Sequence, residues 1–193
     1  MNPRLGRRAL LAGAVGMAGA IFITPLGDTE YSIEDLSAEE VPGPLSLSAE
    51  VLDADILVDS PGVVRLSLTN DGSTPITLWN QGVVPFGVLL LNGTGSGALL
   101  ISPSYDESGQ VTLRDMGRGG WTVRGDQMSV VLEPAETLSE EYEVHGDLLF
   151  NEGTYTIENV TGPLLRYEQA DTDIQEVTPN IEVRIESRNL PPL

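Results

Sequence analysis

From Leu45 onward apolar and polar residues alternate in short runs, and this period of two narrows the possible folds more than any other property of the chain. Val64, Leu66 and Leu68 oppose Arg65, Ser67 and Thr69, and Ile181, Val183 and Ile185 oppose Glu182, Arg184 and Glu186. Successive side chains of a strand point to opposite faces, so each such segment buries one face and wets the other, as antiparallel sheets do. About nine strong runs of this kind, with weaker ones beside them, are legible, punctuated by Gly, Asn, Asp and Pro. They fall near Leu45–Leu52, Asp55–Val58, Val63–Thr69, Ile76–Trp79, Phe86–Leu91, Leu99–Ser102 or Val111–Leu113, Trp121–Val123, Gln127–Leu132, Ser139–Val144, Gly153–Val160 and Glu176–Glu186. The sequence predicts an all-β domain over residues 45–188, with 189–193 as a tail. Between two of the runs, Arg124-Gly125-Asp126 places glycine where a tight hairpin turn wants it.

Ahead of this domain the charge changes sign. Met1 to Gly27 holds Arg4, Arg7 and Arg8 and no acid, while all 29 Asp and Glu residues follow. Gly6-Arg7-Arg8-Ala9-Leu10-Leu11 resembles a twin-arginine translocation signal, with Arg7 and Arg8 followed by one variable residue and the apolar pair Leu10 and Leu11. Ala9 to Ile23 then runs uncharged for 15 residues, short of the ~18–20 that a membrane-spanning helix needs. Ala18-Gly19-Ala20 supplies the small-x-small pattern of a signal-peptidase site, with the cut after Ala20. Ile21-Phe22-Ile23 prolongs the apolar run and would help an uncut chain stay in the membrane. Residues 1–23 are therefore expected to be a signal peptide or an uncleaved anchor, and the product to lie outside the cell or on the outer face of its membrane. Residues 24–44, rich in acids, Pro and Gly, are expected to be a spacer with a short helical turn near Ser32 to Glu40.

Without the three leader arginines, seven arginines face 29 acids, a formal charge of −22, and the chain has no lysine. This usage resembles that of proteins from extremely halophilic archaea, whose carboxylates keep a surface hydrated in molar salt, where the Debye length is about 3 Å. Such a surface excludes nucleic acid as a partner and repels an anionic membrane, leaving an uncleaved N-terminal segment as the route to a membrane. The chain has no cysteine, which removes disulfides, thiolate metal sites and cysteine nucleophiles.

Asn151-Glu152-Gly153-Thr154-Tyr155-Thr156-Ile157 resembles the acid-x-Gly-x-Tyr-x-Cys stretch of immunoglobulin-like domains, with Ile157 in the cysteine's place. The resemblance implies a tyrosine corner built on Tyr155 and Gly153. Leu66 precedes Trp79 by 13 residues, near the spacing from first core cysteine to core tryptophan in that class. Ile76 and Leu78, however, would turn Trp79 to the other face unless a bulge intervenes. The order of Leu68-Thr69-Asn70-Asp71-Gly72, Pro75-Ile76-Thr77-Leu78, Pro85-Phe86-Gly87-Val88, Val131-Leu132-Glu133-Pro134-Ala135-Glu136 and Glu152-Gly153-Thr154-Tyr155 is similar to that of immunoglobulin-like domains related to the Bacillus intracellular proteinase inhibitor. These are turn and strand signatures, so they imply a fold and not a chemical site.

Chemistry is hard to place on this chain. His145 is the single histidine, which excludes multi-histidine copper and zinc sites and a facial triad. Gly93-Thr94-Gly95-Ser96-Gly97 is neither a nucleophile elbow nor a phosphate loop and reads as a flexible loop. Asp53, Asp55 and Asp59, or Asp171 and Asp173, lack the spacing of a calcium loop, and with 29 acids a carboxylate pair close in sequence discriminates nothing. Asn92 and Asn159 head glycosylation sequons, Asn92 in the Gly-rich loop being the better placed. Val83-Val84-Pro85-Phe86 and Leu164-Leu165 are expected to fill the core. The expectation is a non-catalytic, immunoglobulin-like β-sandwich with no cofactor and no metal, exported as an interaction or envelope module toward a protein or envelope partner. A protease inhibitor of the same fold, presenting a loop such as Asp115 to Gly120, is the alternative, and a hydrolase using a carboxylate pair is the third reading.

Overall fold

A computed structural model describes residues 30–57, 59–93, 96–105, 112–115, 121–124, 127–146, 151–169 and 172–188. Arg7, Arg8, Leu10, Leu11, Ala18 and Ala20, residues 116–120, Gly125 and Asp126, and the tail lie outside the described residues. In chain order the strands are β1 (Glu30–Ala38), β2 (Leu45–Asp53), β3 (Asp55–Ile56), β4 (Gly62–Asn70), β5 (Ile76–Gln81), β6 (Leu89–Gly93), β7 (Ser96–Leu99) and β8 (Thr112–Asp115). They continue with β9 (Trp121–Arg124), β10 (Gln127–Leu132), β11 (Thr137–Val144), β12 (Gly153–Asn159), β13 (Leu165–Gln169), β14 (Gln175–Val177) and β15 (Ile181–Arg188).

The described chain is all-β, as the alternation predicts, and every strand pair in it is antiparallel. One sheet has six strands in the order β3-β1-β15-β12-β6-β7, a second has three, β11-β4-β2, and a third has four, β10-β5-β13-β14. β8 and β9 pair only with each other. The apolar faces of the three larger sheets meet in one core. Val64, Leu66 and Leu68 of β4 enter it from the second sheet, Ile76 and Leu78 of β5 from the third, and Leu91, Ile157, Val183 and Ile185 from the first, all buried. On the wet face of β4, Arg65 pairs with Glu141 of β11 at 2.7 Å and with Glu50 of β2 at 3.5 Å.

The stretch 24–44, expected to be a spacer with a helical turn, instead supplies β1. Tyr31, Ser32 and Ile33 are buried and the strand pairs along its length with β15. The register shifts between Ile33 and Asp35, and this bulge at Glu34 breaks the phase of the alternation that would have announced a strand. The Gly-rich stretch also differs from a free loop in its described residues: Gly93 pairs with Ser96 and Asn92 with Gly97, which places Gly93, Ser96 and Gly97 on the paired strands β6 and β7.

Two buried asparagines fix the connections. Asn70, fully buried at the end of β4, donates through Nδ2 to the Thr74 carbonyl at 2.9 Å and the Leu132 carbonyl at 3.0 Å, and its Oδ1 accepts from the Gly72 amide at 2.9 Å. Its backbone also pairs with Ala135 and Glu136, so one side chain locks the turn after β4 to the turn between β10 and β11. Asn80 of β5 donates to the Pro85 carbonyl at 2.8 Å, and Gly87, at φ +76°, lies so close that a Cβ there would sit 2.5 Å from Asn80 Oδ1.

Candidate functional site

β5 alternates strictly: Ile76, Leu78 and Asn80 face inward, while Thr77, Trp79 and Gln81 face outward and are half-buried. No register shift interrupts its pairing with β10, so Trp79 stays on the outer face. It is therefore not a core tryptophan of the immunoglobulin kind. Its neighbours follow from the ladders. Ser129 of β10 lies directly opposite it. On the other side Tyr167 pairs with Leu78, and antiparallel pairing carried one residue further brings Arg166 beside Trp79. Arg166 in turn pairs with Glu176 of β14, its Nε 3.3 Å from Glu176 Oε1.

A turn after β12 closes the end of this row. Asn159 Nδ2 lies within hydrogen-bonding distance of Asn80 Oδ1 (3.0 Å) and the carbonyls of Phe86 (3.0 Å) and Pro163 (3.2 Å), while its Oδ1 accepts from the Thr161 amide and hydroxyl, both at 2.9 Å. The result is an open cleft of about 250 Å³ between the outer face of the third sheet and the turn, bounded by Trp79, Gln81, Gln127, Thr161, Pro163 and Arg166. Trp79 Nε1 is buried without a hydrogen-bond partner, and Arg166 Nε, also buried, is held in the ion pair with Glu176. Buried polar groups are nearly always paired, so the unpaired indole N–H of Trp79 is unusual.

The other predicted residues lie elsewhere. Tyr155 opens β12 and donates its hydroxyl to the Asn151 carbonyl, the geometry of a tyrosine corner. Gly153, at φ +149°, starts the same strand. Gly93 of β6 has no room for a side chain: a Cβ there would be 2.6 Å from the Tyr155 ring. Asn92 is exposed on β6 and its amide reaches Glu158 at 3.0 Å. Asn159 Nδ2, where a glycan would attach, points into the internal network just described, which leaves Asn92 the more accessible sequon. Val83 and Phe86, like Leu164 and Leu165, are buried, as expected of core fillers.

His145 Nε2 pairs with Glu143 at 2.7 Å. Among the described residues no three His, Asp or Glu side chains converge as a metal-ligand set. Asp55 pairs with Arg188, and Asp53 Oδ1 accepts from the Asp55 amide at 3.0 Å. Arg166, Gln127, Gln81 and Thr161 carry no motif, so the sequence does not single them out. The one available signal is the outward turn of Trp79 implied by Ile76 and Leu78.

Inside the core, Tyr142 donates to the Gly87 carbonyl at 3.4 Å and the Tyr105 hydroxyl accepts from the Leu89 amide at 3.3 Å. Burial pushes both phenols well above the ordinary tyrosine range, so they stay neutral and structural.

No curated protein and no solved structure matches the chain. A family model described as a domain of unknown function, DUF8130, matches residues 5–193, a span that takes in the arginine pair, the apolar run and every strand. The chain belongs to that family.

Proposed function

We propose that this chain is a non-catalytic, immunoglobulin-like module displayed outside the membrane of a cell that lives in molar salt. The observation that carries the fold part is the strand order. β2-β4-β11 corresponds to strands A, B and E of the immunoglobulin class, and β15-β12-β6-β7 to G, F, C and an added edge strand, with the tyrosine corner at the start of F. On this assignment strand C is β6, not β5, which explains why Trp79 does not occupy the core position. The Arg7-Arg8 motif, the apolar run and the acid-only remainder support export. A sandwich of this kind presents its outer faces and loops to a partner while its core stays closed.

The test is expression in a halophilic host, fractionation, and mass spectrometry of the N-terminus. A product in the envelope or medium, beginning at Ile21 or retaining its leader in the membrane, is the expected result. A cytoplasmic product, unchanged when Arg7 and Arg8 are both replaced by Lys, sinks the export reading. A second reading, protease inhibition, draws on β8 and β9, which pair with each other apart from the three larger sheets. Failure of the purified chain to slow secreted proteases in molar salt removes it.

A further inference from the structure

We propose that Asn92 carries an N-linked glycan and that the second sequon, at Asn159, is closed to one. The proposal rests on the export reading above, because the sugar donor faces the outer side of a membrane. Asn92-Gly93-Thr94 and Asn159-Val160-Thr161 satisfy the Asn-x-Ser/Thr requirement equally well in sequence, so the fold has to choose between them. Asn92 is exposed on β6, and its Nδ2 makes a surface hydrogen bond to Glu158 Oε1 at 3.0 Å. Water replaces a bond of that kind readily. Directly opposite Asn92 on β7 stands Gly97, which has no side chain to crowd the same face, and no described strand lies beyond β7. Thr94 falls between the end of β6 at Gly93 and the start of β7 at Ser96, so the sequon runs out of the strand into the connection.

Asn159 is the opposite case. Its Nδ2 is surrounded by Asn80 Oδ1 and the carbonyls of Phe86 and Pro163, at 3.0, 3.0 and 3.2 Å, and even a Cβ on Gly87 would come within 2.7 Å of it. A sugar ring has no space there. The hydroxyl of Thr161, the third residue of that sequon, is engaged as well, since it donates to Asn159 Oδ1 at 2.9 Å. Glycosylation exchanges one Nδ2–H for a bond to carbon: the amide gives up a proton, its nitrogen bonds to the anomeric carbon of a sugar carried on a lipid phosphate, and the bond from that carbon to the phosphate oxygen breaks. The lipid phosphate leaves with the electron pair. At Asn92 no buried acceptor depends on the N–H that is lost. At Asn159 the exchange takes a donor from buried acceptors and wedges a ring into the turn, so a chain modified there before folding could not close around it.

The experiment expresses the full chain with its own leader in a halophilic host that N-glycosylates its exported proteins, recovers it from the envelope and medium, and maps attached sugar by mass spectrometry of its peptides. The peptide holding Asn92 is expected to gain the mass of the host's glycan, and the peptide holding Asn159 to gain nothing. Asn92→Gln and Thr94→Ala should each abolish the gain, while Thr94→Ser, which keeps the sequon, should retain it. The wild-type map is decisive by itself if a variant fails to fold. An exported chain that is bare at Asn92, or that carries sugar on Asn159, overturns the proposal and leaves export standing. A chain held in the cytoplasm sinks the export reading and this proposal with it.

Discussion

Asn70 shows how much of the fold can rest on one amide. Its side chain satisfies two carbonyls and one N–H inside the protein, and one of the carbonyls, that of Leu132, is far away in sequence. Asn70→Ala would leave these groups unpaired in the core, with an expected loss of about 2–4 kcal/mol. Urea unfolding in molar KCl measures it, and a loss below about 0.5 kcal/mol, the usual range of surface substitutions, would show that water replaces the amide. The sequence shows Asn70-Asp71-Gly72 as a turn, which it is, but not that Asn70 is buried. Burial here depends on acceptors delivered by the distant β10–β11 turn, and no local pattern encodes them. Tyr155 is the opposite case: its hydroxyl bonds a carbonyl four residues upstream, so a short motif contains the whole interaction.

Among the elements, β12 and β15 are held at one end by Glu152, whose carboxylate accepts from both the amide and the hydroxyl of Ser187. These bonds to the charged form, the hydroxyl first, hold the Glu152 carboxyl below its ordinary value of 4.5. A carboxyl whose folded pKa is depressed contributes stability that is whole above the ordinary value and is lost as pH falls through the folded one. The difference in melting temperature between wild type and Glu152→Gln should therefore hold constant above pH 4.5 and shrink below it. A difference that does not change with pH would mean that the carboxylate's charge plays no part.

Strand existence was legible wherever the period of two ran unbroken, as in β4 and β15. It was lost in β1, where the bulge at Glu34 shifts the phase, and at the β6–β7 tip, where glycines hide a hairpin. The cleft was less legible still, because Arg166 reaches Trp79 through the β13–β5 ladder and the Thr161 turn is set by Asn159, all relations across sheets.

On the scale of the whole molecule, charge decides the conditions of folding. Arg65 bridges β2, β4 and β11, yet ten arginines cannot neutralise 29 acids, and the uncompensated carboxylates repel one another wherever salt does not screen them. The melting temperature should rise from dilute buffer to molar KCl, and an unchanged value across that range excludes salt adaptation. The class of fold was readable from alternation at this scale. Which strand neighbours which was not, because antiparallel partners are chosen by shape and burial across the core.

The six-stranded sheet also fixes an order of events. β15 lies between β1 and β12, so the earliest described strand has its main partner in the last described strand. Until Ile181–Arg188 emerges, β1 with β3 and β12 with β6 and β7 are separate pieces, each with an open hydrogen-bonding edge ready to capture another chain. Closure of this sheet therefore waits for β15 and joins distant parts of the chain, and such non-local pairing is slow. A ribosome stalled before Ile181 would release not a smaller version of this domain but two sticky fragments on one chain.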